Sequence, residues 1–294
     1  YEVMLAKMLR TVSTDSERLE LVSEQDERGG TLLHSVARSR NPASINTILT
    51  LYPESDRVKV LSLKDKNGWT VLHCAVGSNH VESTKLILTS FPESERLQAV
   101  CMVDRKSWSA LYHCVASSKN PGLIRLVFSL LSETERLRAL NMQDRYGNTA
   151  LHSAAKSGHV EAIETVMALC PVSDRLQVLN MKNQREQTVL HSAAVSHNIE
   201  CIKVVLSHYS ESERLHAVRM VDKTGRTVLH CAARFGNFEV IETILVVYPE
   251  SERLQALNRT SQYGETVLHL VAGSGNVECI KAVLSLYPES QWRQ

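Results

Sequence analysis

The sequence is poor in aromatic residues, which make up 5% of its 294 positions. Any core must therefore consist of small, regular layers of Leu, Ile, Val and Ala, since 43% of the chain is still apolar. An excess of either charge is missing too. The chain has 33 Lys and Arg against 32 Asp and Glu, a net charge of +1, so bulk charge argues neither for nucleic acid nor for a membrane surface. No apolar run approaches the roughly 20 residues of a membrane span. The seven cysteines form no CxxC pair, which removes the common zinc and redox spacings. Catalytic signatures are absent as well: there is no GxxxxGK phosphate loop, no HExxH and no GxSxG. The chain is expected to be no enzyme and to hold no cofactor and no metal.

What the sequence does contain is repetition. The stretch PESERLQAL (Pro249 to Leu257) has close copies beginning at Pro53, Pro92, Ser132, Pro171 and Ser210. Its arginine falls at 18, 57, 96, 136, 175, 214 and 253, in steps of 39 with a single step of 40. A second string keeps the same beat: TLLH at Thr31, TVLH at Thr70, ALYH at Ala110, TALH at Thr149, and TVLH at Thr188, Thr227 and Thr266. Such a period means stacked units, none of which buries its apolar face alone. One solenoid is expected over 1–294: a partial repeat 1–30, then 31–69, 70–109, 110–148, 149–187, 188–226, 227–265 and 266–294.

The segment Asp144 to Leu179 shows one unit. Asp144 to Gly147 is a turn: Asp bonds its own downstream backbone, and Gly147 permits positive φ. Thr149 caps a short helix by accepting from amides two or three residues on. Ala154 and Ala155 let a neighbouring helix come close, and Gly158 ends the helix in a left-handed conformation. A second helix carries Val160, Ile163, Val166, Met167 and Leu169 at helical spacing. The run GNTALHSAAKSGHVEAIETVM within this segment resembles the ankyrin repeat pattern GxTPLHxAAxxGH, as do Gly225 to Leu245 and Gly264 to Leu284. The resemblance covers nearly the whole chain and implies an all-α solenoid. Two departures stand out. The family's proline after Thr is missing from every copy. The helix-ending glycine survives only at Gly158, Gly236 and Gly275, while Arg40, Asn79, Lys119 and His197 stand there elsewhere. The period also exceeds the family's usual length of about 33, and the extra residues are the charged nonamer.

Pro followed by Glu-Ser-Glu is a helix start, with acids near the positive end of the dipole. The nonamer therefore predicts a third short helix in each repeat, with Leu254, Ala256 and Leu257 as an apolar edge. Arg253 is expected to face away and meet an acid of its own or the adjacent repeat. Exposed pairs of this kind contribute only ~0–1 kcal/mol, so a strut held by its leucines is expected, with a charged recognition ridge as the alternative. The histidines of the second string, 34, 73, 113, 152, 191, 230 and 269, are evenly stacked, which invites a metal reading. The resemblance implies instead that they bond to backbone and to the nearby Thr. Cys74, Cys114 and Cys231 share the next position, and Cys201 and Cys279 share another. Cysteines placed by a repeat are expected to be buried, reduced and unpaired.

With the constant positions as scaffold, function falls to the variable ones. The resemblance implies a partner bound on the concave surface of turn tips and first helices. One residue past the turn acid reads Glu27, Lys66, Arg105, Arg145, Gln184, Lys223 and Gln262, with Lys64, Lys106, Lys182, Arg185 and Arg226 close by. Trp69, Trp108, Tyr146 and Tyr263 add aromatic area at the tips, and Phe235 replaces the usual Ser. Arg beside Trp or Tyr is the composition of binding hot spots. The candidate partner-binding residues are thus Lys66, Trp69, Arg105, Trp108, Arg145, Tyr146, Arg185, Lys223, Arg226, Phe235 and Tyr263, with both tryptophans expected to be exposed. Solvated loops with incidental aromatics are the bland alternative.

The expected function is a monomeric, cytoplasmic scaffold or targeting module that binds another protein, with no membrane span and no nucleic acid. Two alternatives stay open. One is the substrate-recognition arm of a larger multidomain enzyme, or a secreted bacterial effector in a host cytosol, whose long uniform arrays this chain also resembles. The other is phosphate or nucleic-acid binding by the basic tips. At the ends, EVMLAKML (Glu2 to Leu9) falls in the register of a second helix and YPESQWRQ enters another nonamer. The array is therefore expected to continue or to have been cut from a larger protein.

Overall fold

The structure, a computed structural model, describes residues 22–117 and 120–288. Glu2 to Leu9, Lys119 and the final QWRQ lie outside the described residues. The described residues form twenty helices and no strand. Single extended bridges close turns, as with Val103 and Ser109 or Val221 and Thr227. The chain divides into two compact units between Arg145 and Tyr146.

The repeats contain three helices, and each helix starts for a readable reason. In the repeat opened by Thr70 they are Val71–Gly77, Val81–Thr89 and Glu93–Cys101. Thr70 caps the first helix, accepting from the His73 N–H at 3.4 Å. His80 caps the second through its ring, which accepts from Ser83 N–H at 3.2 Å. In other repeats Asn41, Asn120, Asn198, Asn237 and Asn276 do this second job, as their short polar side chain allows. Layers of Leu72, Leu151, Leu190 and Leu229 from first helices and Ile87, Ile163, Ile202 and Ile241 from second helices are fully buried. Ala75, Ala154, Ala193 and Ala232 lie buried on the first helices, where their small volume permits close approach.

The nonamer is the third helix, and its details correct two expectations. Pro53, Pro92, Pro171 and Pro249 stand at the N-cap, just before the first turn. Proline has no N–H to satisfy there. Where serine replaces it the N–H returns, and Ser132 and Ser210 donate theirs to Glu135 Oε2 (2.8 Å) and Glu213 Oε2 (2.9 Å), closing capping boxes. The apolar edge is narrower than predicted: Ala256 and Leu257 are buried, whereas Leu254 is half-buried. The arginine does not meet an acid. Arg136 Nε donates to the main-chain oxygens of Phe128 (2.8 Å) and Leu131 (3.1 Å), Arg214 Nε to Leu206 (3.0 Å), and Arg175 and Arg253 to Cys170 and Tyr248 (3.3 Å each). These carbonyls lie in the last turn of the preceding second helix or just beyond it, where intrahelical donors run out. In these four copies the arginine is a cap supplied by the following helix, whereas Arg57 Nε and Arg96 Nε are buried without a partner among the described residues.

A further tie between repeats comes from a tyrosine that stands just before the nonamer in several copies. Tyr52 and Tyr248 each donate their hydroxyl 3.0 Å to a main-chain oxygen of the preceding repeat, Val22 and Val218, and Tyr209 bonds Asn180 Oδ1 at 2.8 Å.

The third repeat departs from the string. ALYH aligns His113 with His73 by eye, but Ser109 stands where Thr70 does and Tyr112 stands where His73 does. Tyr112 N–H donates to Ser109 Oγ at 3.0 Å, which is the cap bond that His73 makes to Thr70. The single step of 40 is thus an extra residue between Ser109, which takes the place of Thr70, and Asn120, which takes the place of His80. His113 therefore leaves the stacked histidine row, and Cys114 leaves the register of Cys74.

Candidate functional site

The turn tips are rigid before any partner arrives. Asp65 Oδ1 accepts from Asn67 and Trp69 N–H (2.8 and 2.9 Å), Asp104 Oδ1 from Lys106 and Trp108 (2.7 and 3.0 Å), and Asp222 Oδ1 from Thr224 and Arg226 (2.9 and 3.0 Å). Burial opposes ionisation of Asp104 and Asp222, but these bonds outweigh it and hold both carboxyls below the usual range. Successive tips also bond main chain to main chain: Lys66 N–H to Arg28 O (2.8 Å), Arg105 to Asn67 (3.0 Å), Gln184 to Tyr146 (3.0 Å), Lys223 to Arg185 (2.8 Å) and Gln262 to Thr224 (2.9 Å). This close contact explains Gly68, where φ is +81° and a Cβ would stand 2.8 Å from Arg105 N. The side chains one residue past the turn acid, including Lys66, Arg105, Arg145 and Lys223, are exposed.

In the first unit the predicted aromatics are not free. Trp69 and Trp108 are both half-buried, a correction to their expected exposure. The His113 ring stands edge-on to both, with centroids 5.2 Å from Trp69 and 5.3 Å from Trp108. Trp108 stacks on Tyr112 at 4.9 Å, and Lys106 Nζ lies 5.2 Å from the Trp108 ring centroid. Trp69 covers the end of its own first helix so closely that a Cβ on Gly77 would be 3.0 Å from its ring. His113 Nε2 lies 3.1 Å from Asp104 Oδ2, and burial lowers the pKa of His113 despite that neighbour. The tryptophans are part of a packed aromatic cluster whose outer edge is accessible.

The second unit gathers four of the predicted residues around one groove. Tyr146, Arg185, Arg226 and Phe235 line a cavity of about 560 Å³ together with Lys156 and Arg234, which the sequence reading missed. Lys156 and Arg234 hold the same place at the end of their first helices, Ala150–Lys156 and Val228–Arg234. That shared register was the available signal. Tyr146 is 56% exposed and Phe235 46%. Arg226 is spoken for: it pairs with Glu265 at 2.6 Å and lies 5.6 Å from the Tyr263 ring centroid. Tyr263 itself is 69% exposed.

Other chemistry is sparse. All seven cysteines are unpaired, and burial pushes the thiols of Cys74 and Cys231 up to about 12, far from reactive. Among the described residues no three His, Cys, Asp or Glu gather as metal ligands, and no helix is long and apolar enough to cross a membrane.

Comparison with known proteins agrees with this architecture. A model of three ankyrin repeat copies matches residues 113–216 and 171–253, and a single ankyrin repeat model matches 67–92. Together they span more than half of the chain, which belongs to the ankyrin repeat family. Ankyrin repeats are in general protein–protein interaction modules. Among solved structures, the ankyrin repeat domain of Bcl-3, a member of the IkappaB protein family, is 16% identical with a TM-score of 0.65, over 88% of this chain and 100% of that one. The human ASB11 ankyrin repeat domain is 20% identical with a TM-score of 0.66, over 88% of this chain and 99% of that one. No curated protein matches by sequence.

Proposed function

We propose that the chain is a monomeric protein-binding module that engages its partner through turn tips and first helices and acts by binding rather than catalysis. The observation that carries this reading is the groove of the second unit, where Tyr146 and Phe235 stay exposed among cations on a tip scaffold already locked by main-chain bonds. A preformed surface loses little entropy on binding, and exposed aromatics beside arginine are what hot spots use. Seven unpaired cysteines fit a reducing compartment such as the cytoplasm.

A photo-crosslinking scan tests the face. Benzoylphenylalanine placed at Lys66, Arg105, Gln184 and Lys223 should capture a partner in lysate. The same group on the third helices, at Gln98, Gln177 and Gln255, should capture none. Crosslinks confined to the third helices would move the site to the charged ridge and overturn this reading.

A further inference from the structure

The groove of the second unit has a charge imbalance that the fold does not use. Four cations and one carboxylate, Asp222, line it. Asp222 is buried and held by Thr224, Gln187 and main-chain N–H groups. Arg226 is neutralised by Glu265. Lys156, Arg185 and Arg234 remain, all exposed and without an ion pair among the described residues. Three cations without an ion pair stand around one cavity, only Arg234 being close enough to Glu265 to help the Arg226 bond hold that carboxyl below its usual range.

Their spacing is informative. Lys156 and Arg234 occupy one register position two repeats apart, and Val195, at the end of the helix Val189–Ala194, holds that position between them. The wall therefore reads cation, apolar, cation. Arg185 stands on the tip side, next to Tyr146. Neighbouring helices stack about 10 Å apart, and an extended chain advances about 3.3 Å per residue. One repeat thus matches about three residues of an extended ligand.

We propose that this groove is a receptor for an extended acidic peptide, with two carboxylate side chains about six residues apart meeting Lys156 and Arg234 and an apolar side chain midway against Val195, between the Tyr146 and Phe235 rings. This rests on the protein-binding reading above and gives it a ligand chemistry. A nucleic acid fits the same surface less well. Its regular phosphates would need a continuous basic stripe, whereas the tips here also carry Glu186 and Glu265 and the chain's net charge is only +1.

The test uses the whole chain and a fluorescein-labelled nonapeptide carrying two aspartates six residues apart with a leucine midway. Anisotropy at low salt should report saturable binding. The same peptide with asparagines for the aspartates should bind at least tenfold more weakly, and K156E/R185E/R234E should bind the acidic peptide at least tenfold more weakly than the unaltered protein. A control, K59E/K85E on exposed helix positions of the first unit away from its tips, should bind it within about twofold. All the altered groups are exposed, and unchanged melting of the variants confirms folding. If the triple variant does not fold, K156Q/R185Q/R234Q replaces it with the same expected loss. No binding, equal binding to the triple variant, or equal binding of the asparagine peptide overturns the proposal. Displacement by a twelve-nucleotide oligothymidine at lower concentration than unlabelled peptide also overturns it and assigns the cations to nucleic acid. The two readings fail separately. Tip crosslinks with no peptide binding leave the interaction face standing without its acidic ligand. Peptide binding with crosslinks only from the third helices leaves the groove assigned and removes the partner face.

Discussion

His73 joins two repeats: its Nδ1 accepts from Thr70 N–H at 3.2 Å, and its Nε2 reaches the main-chain oxygen of Trp108 at 3.2 Å. The first bond requires a bare Nδ1 and the second a protonated Nε2, so only the neutral ring with its proton on Nε2 fits. His34 makes the same pair of bonds to Thr31 and Trp69, and His152 to Thr149 and Gln187. In His34, His73, His152 and His230 the stacked ring that could suggest metal is a hydrogen-bonded rivet with both nitrogens committed, while His191 accepts from Thr188 N–H at Nδ1 and has no partner among the described residues at its buried Nε2.

Acid should therefore loosen the array before its carboxylates titrate. Burial pushes the pKa of His73 and His191 down from 6.5 to about 4. A group depressed in the folded state contributes stability that is complete above its unfolded pKa and is lost as pH falls toward its folded pKa. The window is thus pH 6.5 down to about 4, and each of the two contributes up to ~3 kcal/mol. Asp104 and Asp222 are held below 3.8 and act only beneath that window. Urea midpoints should fall steeply between pH 7 and pH 4.5, and less steeply in His73→Gln. A flat profile across this range would mean that the rings are charged in the folded protein and that the bond assignment is wrong.

The third helices give a ranking of substitutions. Leu257 is fully buried and Leu254 half-buried, while Arg253 caps a carbonyl at 3.3 Å. Leu257→Ala should cost ~2–4 kcal/mol, Leu254→Ala less than half of that, and Arg253→Ala about 1 kcal/mol through the lost cap. Guanidinium melts of the three variants check the order. Arg253→Ala costing more than Leu257→Ala would restore the arginine as the main strut.

The period made the three-helix unit legible, because cap, turn and apolar spacing recur in every copy. Three things lay beyond it. The slip at His113 was hidden because Ala110-Leu-Tyr-His mimics the string, and only the serine cap shows which residue faces Thr70's place. The arginine caps were misread because a row of acids and bases suggests ion pairs, whereas the acceptors are helix-end carbonyls that no residue type announces. The tryptophans looked free because their burial depends on the bare backbone at Gly77 and on the His113 ring, which the extra residue moves out of the histidine row and between them. Within the groove, Tyr146, Arg185, Arg226 and Phe235 were legible as variable positions. Lys156 and Arg234 were passed over because they end first helices, where a basic residue reads as a response to the helix dipole.

Backbone strain offers a stabilising change. Arg40 sits at φ 60° where other repeats place glycine, such as Gly158 at φ 77°. An L side chain in this region costs about 1–2 kcal/mol, partly offset because glycine frees the unfolded chain by ~0.4–1 kcal/mol. Arg40→Gly should raise stability by roughly 0.5–1 kcal/mol on that balance. Gly147→Ala should do the reverse and by more, since φ is +76° and its Cβ would stand 2.6 Å from Gln184 N. Thermal melts of both variants decide it, and destabilisation by Arg40→Gly would show that the arginine side chain holds something the backbone argument ignores.

Two pairs of aromatics should separate packing from recognition. Trp69 and Trp108 sit against His113, Tyr112 and the end of a first helix. Replacing both with Ala should lower the melting temperature, each losing ~0.5–1.5 kcal/mol per ring contact, and any loss of partner binding would then be mixed with loss of structure. Tyr146 and Phe235 are exposed and line the groove. Phe235 has one ring neighbour among the described residues, His197 at 5.4 Å, and both rings are about half exposed, so Tyr146→Ala with Phe235→Ala should lower the melting temperature less than the tryptophan pair does. If these two are hot-spot residues, the same double variant should weaken binding of the crosslinked partner by ~2 kcal/mol or more. Scanning fluorimetry and titration calorimetry on the two double variants measure both quantities side by side. A melting temperature that falls with Tyr146 and Phe235 but not with the tryptophans would exchange the roles assigned to the two pairs, placing recognition on the first unit and packing on the second.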